Sequence, residues 1–206
     1  MNMDDVVMPD TTAVRAAMEL ASIYQPESLT AHAIRSGYWS EAIARVVGIA
    51  IPDRELLWVA ALLHDIGIVP EFDNHLNSYE DAGGHVAVAL TAGAGWPHAR
   101  RLRVHEVIVR HNWPSVDPAL DVEGHLLERA TALDVAGAQA DLLPSGFAAE
   151  VLASYPRGDL AQVFGKAVTG QSERKPHTQA RRIVQAGVVA KMAEHPHEAR
   201  AGSQGR

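Results

Sequence analysis

The chain of 206 residues contains no cysteine, which excludes disulfides and thiolate metal ligands. Any metal it holds must be bound by nitrogen and oxygen. Lysine is nearly as scarce: Lys166, Lys175 and Lys191 are the three present, so none lies in the first 165 residues. With arginine supplying most of the positive charge and a formal net charge of −7, nucleic acid is a poor partner. No run of about 18 apolar residues occurs, and the acidic start MNMDDVVMPD lacks the basic and apolar regions of a signal peptide. A soluble, cytoplasmic protein without a membrane partner is therefore expected. Runs of β-branched residues alternating with polar ones are also missing, which leaves little room for strands.

What is present is helical periodicity in a chain that is 47% apolar and 21% charged, enough for an ordinary core. An all-α protein is expected, with residues 1–193 forming one domain and residues 194–206 a disordered tail. Caps and breakers predict helices from Thr11 or Thr12 to Tyr24, from Ser28 or Thr30 to Gly48, and from the Asp53 cap through VAALLHDIG. Gly67 is expected to stop that third helix in a left-handed conformation, with a loop from Ile68 to Ser78. Further helices are predicted over 79–91, 97–112, 122–137, 145–155, 159–169 and 175–194.

Several polar residues fall on the apolar faces of these helices. His64 follows Leu57, Ala60 and Ala61; His85 shares a stripe with Val88, Ala89 and Ala92; His111 completes Val104, Val107 and Ile108. Asp134 lies beyond Leu127 and Ala130, and His32 follows Leu29. One inward histidine is ordinary core chemistry, satisfied by a carbonyl. Four helices doing this together, those of His64, His85, His111 and Asp134, with His32 on a less clean stripe, point elsewhere, because an unpaired buried carboxylate costs several kcal/mol and a shared cation satisfies all of the groups. His75, His98, His125, His177, His195 and His197 are assigned to the surface; His105 fits either place.

These residues resemble the HD superfamily, whose signature is a histidine, an adjacent His-Asp pair and a distant aspartate. Here they are His32, His64 with Asp65, and Asp134. The stretches LTAHAIRSGYWSEAIA (29–44), ALLHDIG (61–67), YEDAGGHVA (79–87), EVIVRHNW (106–113) and ATALDVAG (130–137) are similar to its cyanamide hydratase-like branch. Ala31 stands where that branch would lead one to expect asparagine.

The resemblance implies an all-α helical bundle around a buried metal site, held by His32, His64, Asp65 and Asp134. It implies a divalent cation: zinc first, iron or manganese as alternatives, one ion or two. In a dinuclear site His85 and His111 would take the second ion; in a mononuclear one they would handle protons, with Glu80 as a further catalytic candidate. Arg35, Trp39, Phe72 and Trp113 are the candidates for contacting substrate, and Phe147 or Tyr155 for capping the pocket. The reaction implied is addition of metal-activated water to a small uncharged nitrogen compound such as cyanamide, a nitrile or an amide. Nucleotide phosphohydrolase, di-iron oxygenase and non-catalytic ligand-sensing module stay open as alternatives. Ile68 occupies the place after the His-Asp pair where phosphate-cleaving relatives often carry lysine, which disfavours a phosphate substrate. The expected partner is a small molecule, with homo-oligomerisation left open.

Overall fold

The computed structural model describes residues 1–195. Among them are ten α-helices and no strand, and no helix is long and apolar enough to cross a membrane. Of the tail expected at 194–206, only Glu194 and His195 are described. His195 is not at the surface: it is buried, and its Nε2 donates to the Leu133 carbonyl at 3.0 Å.

Helix α1 (Thr12–Tyr24) is capped by Thr11, whose hydroxyl accepts from the Val14 amide. Helix α2 (Glu27–Val47) is the longest and ends at Gly48, which takes the left-handed conformation (φ 74°) that glycine adopts without steric cost. Helix α3 (Arg54–Leu63) begins at the Asp53 cap and is buried at every position from Leu56 to Leu63. A helix apolar all round has to lie inside the molecule. Accordingly α1, α2, α4 (Tyr79–Gly93), α5 (His98–Arg110) and α6 (Val122–Ala136) all pack around it.

Two of the sequence expectations fail here for identifiable reasons. Helix α3 stops at Leu63, and Gly67 is not left-handed: it sits in a 3₁₀ turn, Ile66–Ile68. Glycine is needed there for proximity. A Cβ at 67 would stand 2.1 Å from the Tyr79 carbonyl oxygen and 2.6 Å from the Gly83 nitrogen, so only glycine lets α4 dock against the turn that follows the His-Asp pair. In α4 the stripe His85, Ala89, Ala92 faces outward, and Tyr79, Glu80, Ala82, Gly83, Ala87 and Thr91 face the core. Alanine and glycine occur on both sides of this helix, so the periodicity has too little contrast to choose a face.

Beyond α6 come α7 (Ser145–Ser154), α8 (Leu160–Arg174), α9 (Gln179–Gln185) and α10 (Val188–Ala193). The single helix expected from Lys175 to Glu194 is thus two short ones, broken at Gly187, which is left-handed (φ 69°). Helix α8 packs on α2, and α10 packs on α6, so this C-terminal third covers the side of the bundle where His32 and Asp134 lie.

Candidate metal centre

Four elements deliver the site. His32 comes from the first half of α2, the His64-Asp65 pair from the end of α3, His111 from the C-terminal cap of α5, and Asp134 from the last turn of α6. All five are at least nine-tenths buried. Because α3 ends at Leu63, His64 and Asp65 leave the helix in succession and both turn to the same point.

The tautomers follow from the partners. His64 Nδ1 donates to the Ala61 carbonyl at 2.7 Å, and His111 Nδ1 to the Ile108 carbonyl at 2.5 Å. A carbonyl oxygen only accepts, so each Nδ1 carries the hydrogen. His32 Nδ1 lies 2.7 Å from Asp134 Oδ2, an anionic acceptor. In the neutral rings the three Nε2 atoms are therefore lone pairs, and they converge. His32 Nε2 and His64 Nε2 are 3.0 Å apart; Asp65 Oδ2 is 3.3 Å from His64 Nε2 and 3.6 Å from His32 Nε2, while Asp65 Oδ1 is 3.7 Å from His111 Nε2.

Both oxygens of Asp65 are buried and have no hydrogen-bond partner among the described residues. That is the unbalanced feature of the site, since an isolated buried carboxylate costs several kcal/mol. Lone pairs and a negative charge facing one another fit a cation. His32, His64 and Asp65 place one ligand atom each within 4.8 Å of one another, and His111 Nε2 adjoins the same carboxylate.

The protonation pattern agrees. Burial works against ionising Asp65, but His64, His32 and His111 around it more than offset this and hold the carboxyl well below its ordinary range. Burial also opposes a proton on His64, yet Asp65 outweighs it and raises that ring. Burial lowers His32, with Asp134 opposing, and pushes His111 down to about 3. Two of the three rings are thus kept neutral, the form in which imidazole binds metals.

Asp134 is brought to the site but one layer behind it. Its Oδ1 accepts from Arg35 Nε and Trp39 Nε1, and its Oδ2 from Arg35 Nη2 and His32 Nδ1, each at 2.7 Å. Four donors surround the carboxylate, so in this arrangement it orients His32, while the grouped ligand atoms are those of His32, His64 and Asp65. Arg35 and Trp39, expected at the substrate, are fully buried partners of Asp134 instead. Arg35 also donates to the carbonyls of Tyr155 and Pro156.

His85 is outside the site. It is exposed on α4 and packs at a tilt against His105, with ring centroids 4.9 Å apart, because the face it shares is the solvent face of that helix. Glu80 is buried on the opposite face and does not line the cavity; its Oε1 accepts from Asn112 Nδ2 at 2.9 Å. Burial raises its carboxyl above the ordinary value. Phe72 packs edge-on against Tyr24, at 4.9 Å, away from the centre. Phe147 packs on Trp39 and Tyr155 on Tyr38, so neither caps the site.

A cavity of about 150 Å³ opens from His32, His64, Asp65 and His111. Trp113, a candidate substrate neighbour, lines it and is 42% exposed. The rest of the lining was missed by sequence reasoning: Asn112, Glu128 and Thr131 supply polar atoms, while Phe164 of α8, Ile183 of α9 and Val188 of α10 close the apolar wall. Among the described residues no arginine or lysine contributes. Burial lifts the Glu128 carboxyl to about 6, against the pull of Arg129. Asn112, directly after a candidate histidine, and Thr131, inside the ATALDVAG stretch, were the findable signals; the wall from α8 to α10 had none, since its residues lie more than 25 positions beyond the last motif.

The HD domain family model matches residues 29–136, the span that carries every residue of the cluster. Cyanamide hydratase DDI2 and cyanamide hydratase DDI3 of Saccharomyces cerevisiae are each 28% identical to this chain over 174 residues, which cover 82% of this chain and 76% of the relative.

Proposed function

The chain belongs to the HD domain family, and from that premise we propose that it is a metal-dependent hydratase acting on a small, uncharged nitrogen compound, with cyanamide as the leading candidate. The observation that carries the metal is the buried, partnerless carboxylate of Asp65 facing three convergent imidazole nitrogens. His32, His64, His111 and Asp65 are the proposed ligands, an N₃O set that suits zinc. A divalent cation held there supplies Lewis acidity, lowering the pKa of a water from about 15.7 to about 7 and polarising the group to be attacked.

The chain's own residues do the rest. Asp134, fixed by Arg35 and Trp39, holds His32 in the tautomer that presents Nε2. The carbonyls of Ala61 and Ile108 do the same for His64 and His111. Phe164, Ile183 and Val188 exclude bulk water from the far side of the cavity. Addition places the water oxygen on the nitrile carbon and both water protons on the nitrile nitrogen, so cyanamide gives urea and no leaving group is needed.

The size and charge of the cavity support this substrate class. A volume of 150 Å³ holds a ligand of roughly six heavy atoms, and among the described residues the wall has no arginine or lysine to pair with a phosphate. Both features favour a small neutral substrate over a nucleotide. The di-iron reading needs His85 beside His111, and His85 is on the exposed face of α4.

The deciding experiment is to purify the protein without chelators, measure its metal content, and follow urea release from cyanamide. One ion per chain together with urea formation is the expected outcome. A metal-loaded protein inert to cyanamide and to small nitriles and amides overturns the reading in favour of a ligand-sensing module.

A further inference from the structure

Asn112 stands beside the proposed ligand His111 and borders the cavity. Its side-chain nitrogen donates to Glu80 Oε1 at 2.9 Å and also to the Tyr79 hydroxyl oxygen. These two contacts orient the amide with its nitrogen towards α4 and use both hydrogens of that nitrogen. The polar atom left over is Oδ1, with its lone pairs.

Two other polar side chains on the cavity wall, beside the donor-only indole of Trp113, are of the same kind. The Thr131 hydroxyl donates to the Glu128 carbonyl at 3.0 Å, leaving its oxygen as an acceptor, and the Glu128 side chain is a carboxyl with no arginine or lysine among the described residues of the wall. The cavity therefore presents acceptors. A ligand bearing N–H groups satisfies them, whereas an isostere with methyl groups in those places leaves buried lone pairs without partners, the arrangement from which binding sites draw strong discrimination.

Resting on the hydratase reading above, we propose that Asn112 is a specificity-determining residue: its Oδ1 accepts an N–H of the bound molecule, so the cavity selects small neutral compounds that carry N–H on the reacting carbon. Glu80 acts through Asn112, as the positioning residue that fixes which end of the amide faces the cavity. This accounts for a buried carboxylate on α4 that touches neither the metal cluster nor the cavity.

Urea and acetone test the idea, because they share shape and carbonyl and differ in having N–H or methyl groups. Binding of each to the zinc-loaded protein is measured by NMR shift titration, which needs no turnover. The wild type is expected to bind urea about tenfold more tightly than acetone, a difference of about 1.4 kcal/mol. Asn112→Leu should weaken urea and leave acetone unchanged, bringing the two within about twofold. In Glu80→Gln the neutral amide can donate or accept, so Asn112 can turn either way and the preference should narrow. Equal binding of both molecules by the wild type overturns the proposal, as does an undiminished preference in Asn112→Leu. If the leucine variant does not fold, Glu80→Gln decides, and an unchanged preference there overturns it. Failure to form urea from cyanamide is a separate result, which removes the hydratase reading and not the binding preference.

Discussion

Asp134 Oδ2 and His32 Nδ1 lie 2.7 Å apart with neither atom open to solvent, so the aspartate of the family signature acts on the histidine of the same signature. The carboxylate fixes the ring's tautomer and rotation and strengthens its other nitrogen as a donor to a metal.

Replacing that carboxylate tests the pairing. Asp134→Asn is expected to weaken metal binding by about 10- to 100-fold while leaving the stoichiometry at one ion per chain, as read by competition with a chromogenic chelator. It also leaves Arg35 buried without its counter-charge, a loss of about 3–5 kcal/mol by urea denaturation. Loss of the ion altogether would show that Asp134 is itself a ligand.

His111 and His85 separate the one-metal arrangement from the two-metal one. His111→Ala should reduce metal retention on gel filtration and abolish activity. His85→Ala, a surface change on α4, should leave metal content, activity and stability within error of the wild type. A fall in metal content on changing His85 would contradict the placement of that ring.

Gly67→Ala examines the turn behind the His-Asp pair. The added methyl would stand 2.1 Å from a backbone carbonyl oxygen, which cannot rotate away as a side chain would. Destabilisation of about 3 kcal/mol or more is expected, with metal affinity falling as α4 is pushed off the turn. Mild effects on both would mean that the turn can shift without cost.

Glu128 gives the protein a predictable pH response. Its folded-state pKa of about 6 lies above the unfolded value of about 4.3, so the fold carries a penalty at neutral pH that disappears as protonation proceeds below pH 6. Glu128→Gln should therefore stabilise the protein by about 1–2 kcal/mol at pH 7, with the gain vanishing near pH 4. Denaturation curves across that range measure it, and a gain that persists at pH 4 would point to packing instead.

The sequence alone made the architecture and most of the site legible. The all-α character, the buried third helix and the inward placement of His32, His64, His111 and Asp134 follow from a 3.6-residue period with strong apolar contrast. The absence of cysteine left only nitrogen and oxygen ligands, and the motif spacing pointed to the family. Periodicity failed at His85 because α4 is rich in alanine and glycine on both sides, and two opposite faces looked equally apolar.

Facing inward also does not say whether a carboxylate touches an ion or holds a residue that does. That depends on which donors surround it, and only the tertiary structure placed Arg35, Trp39 and His32 around Asp134 while leaving Asp65 without a partner. The fold likewise decided the role of Gly67, as a contact rather than a turn, and it set Phe164, Ile183 and Val188 across the cavity from a histidine more than 100 residues earlier in the chain. Local pattern fixes which face of a helix turns inward; what it meets there is set by helices packed from distant parts of the chain.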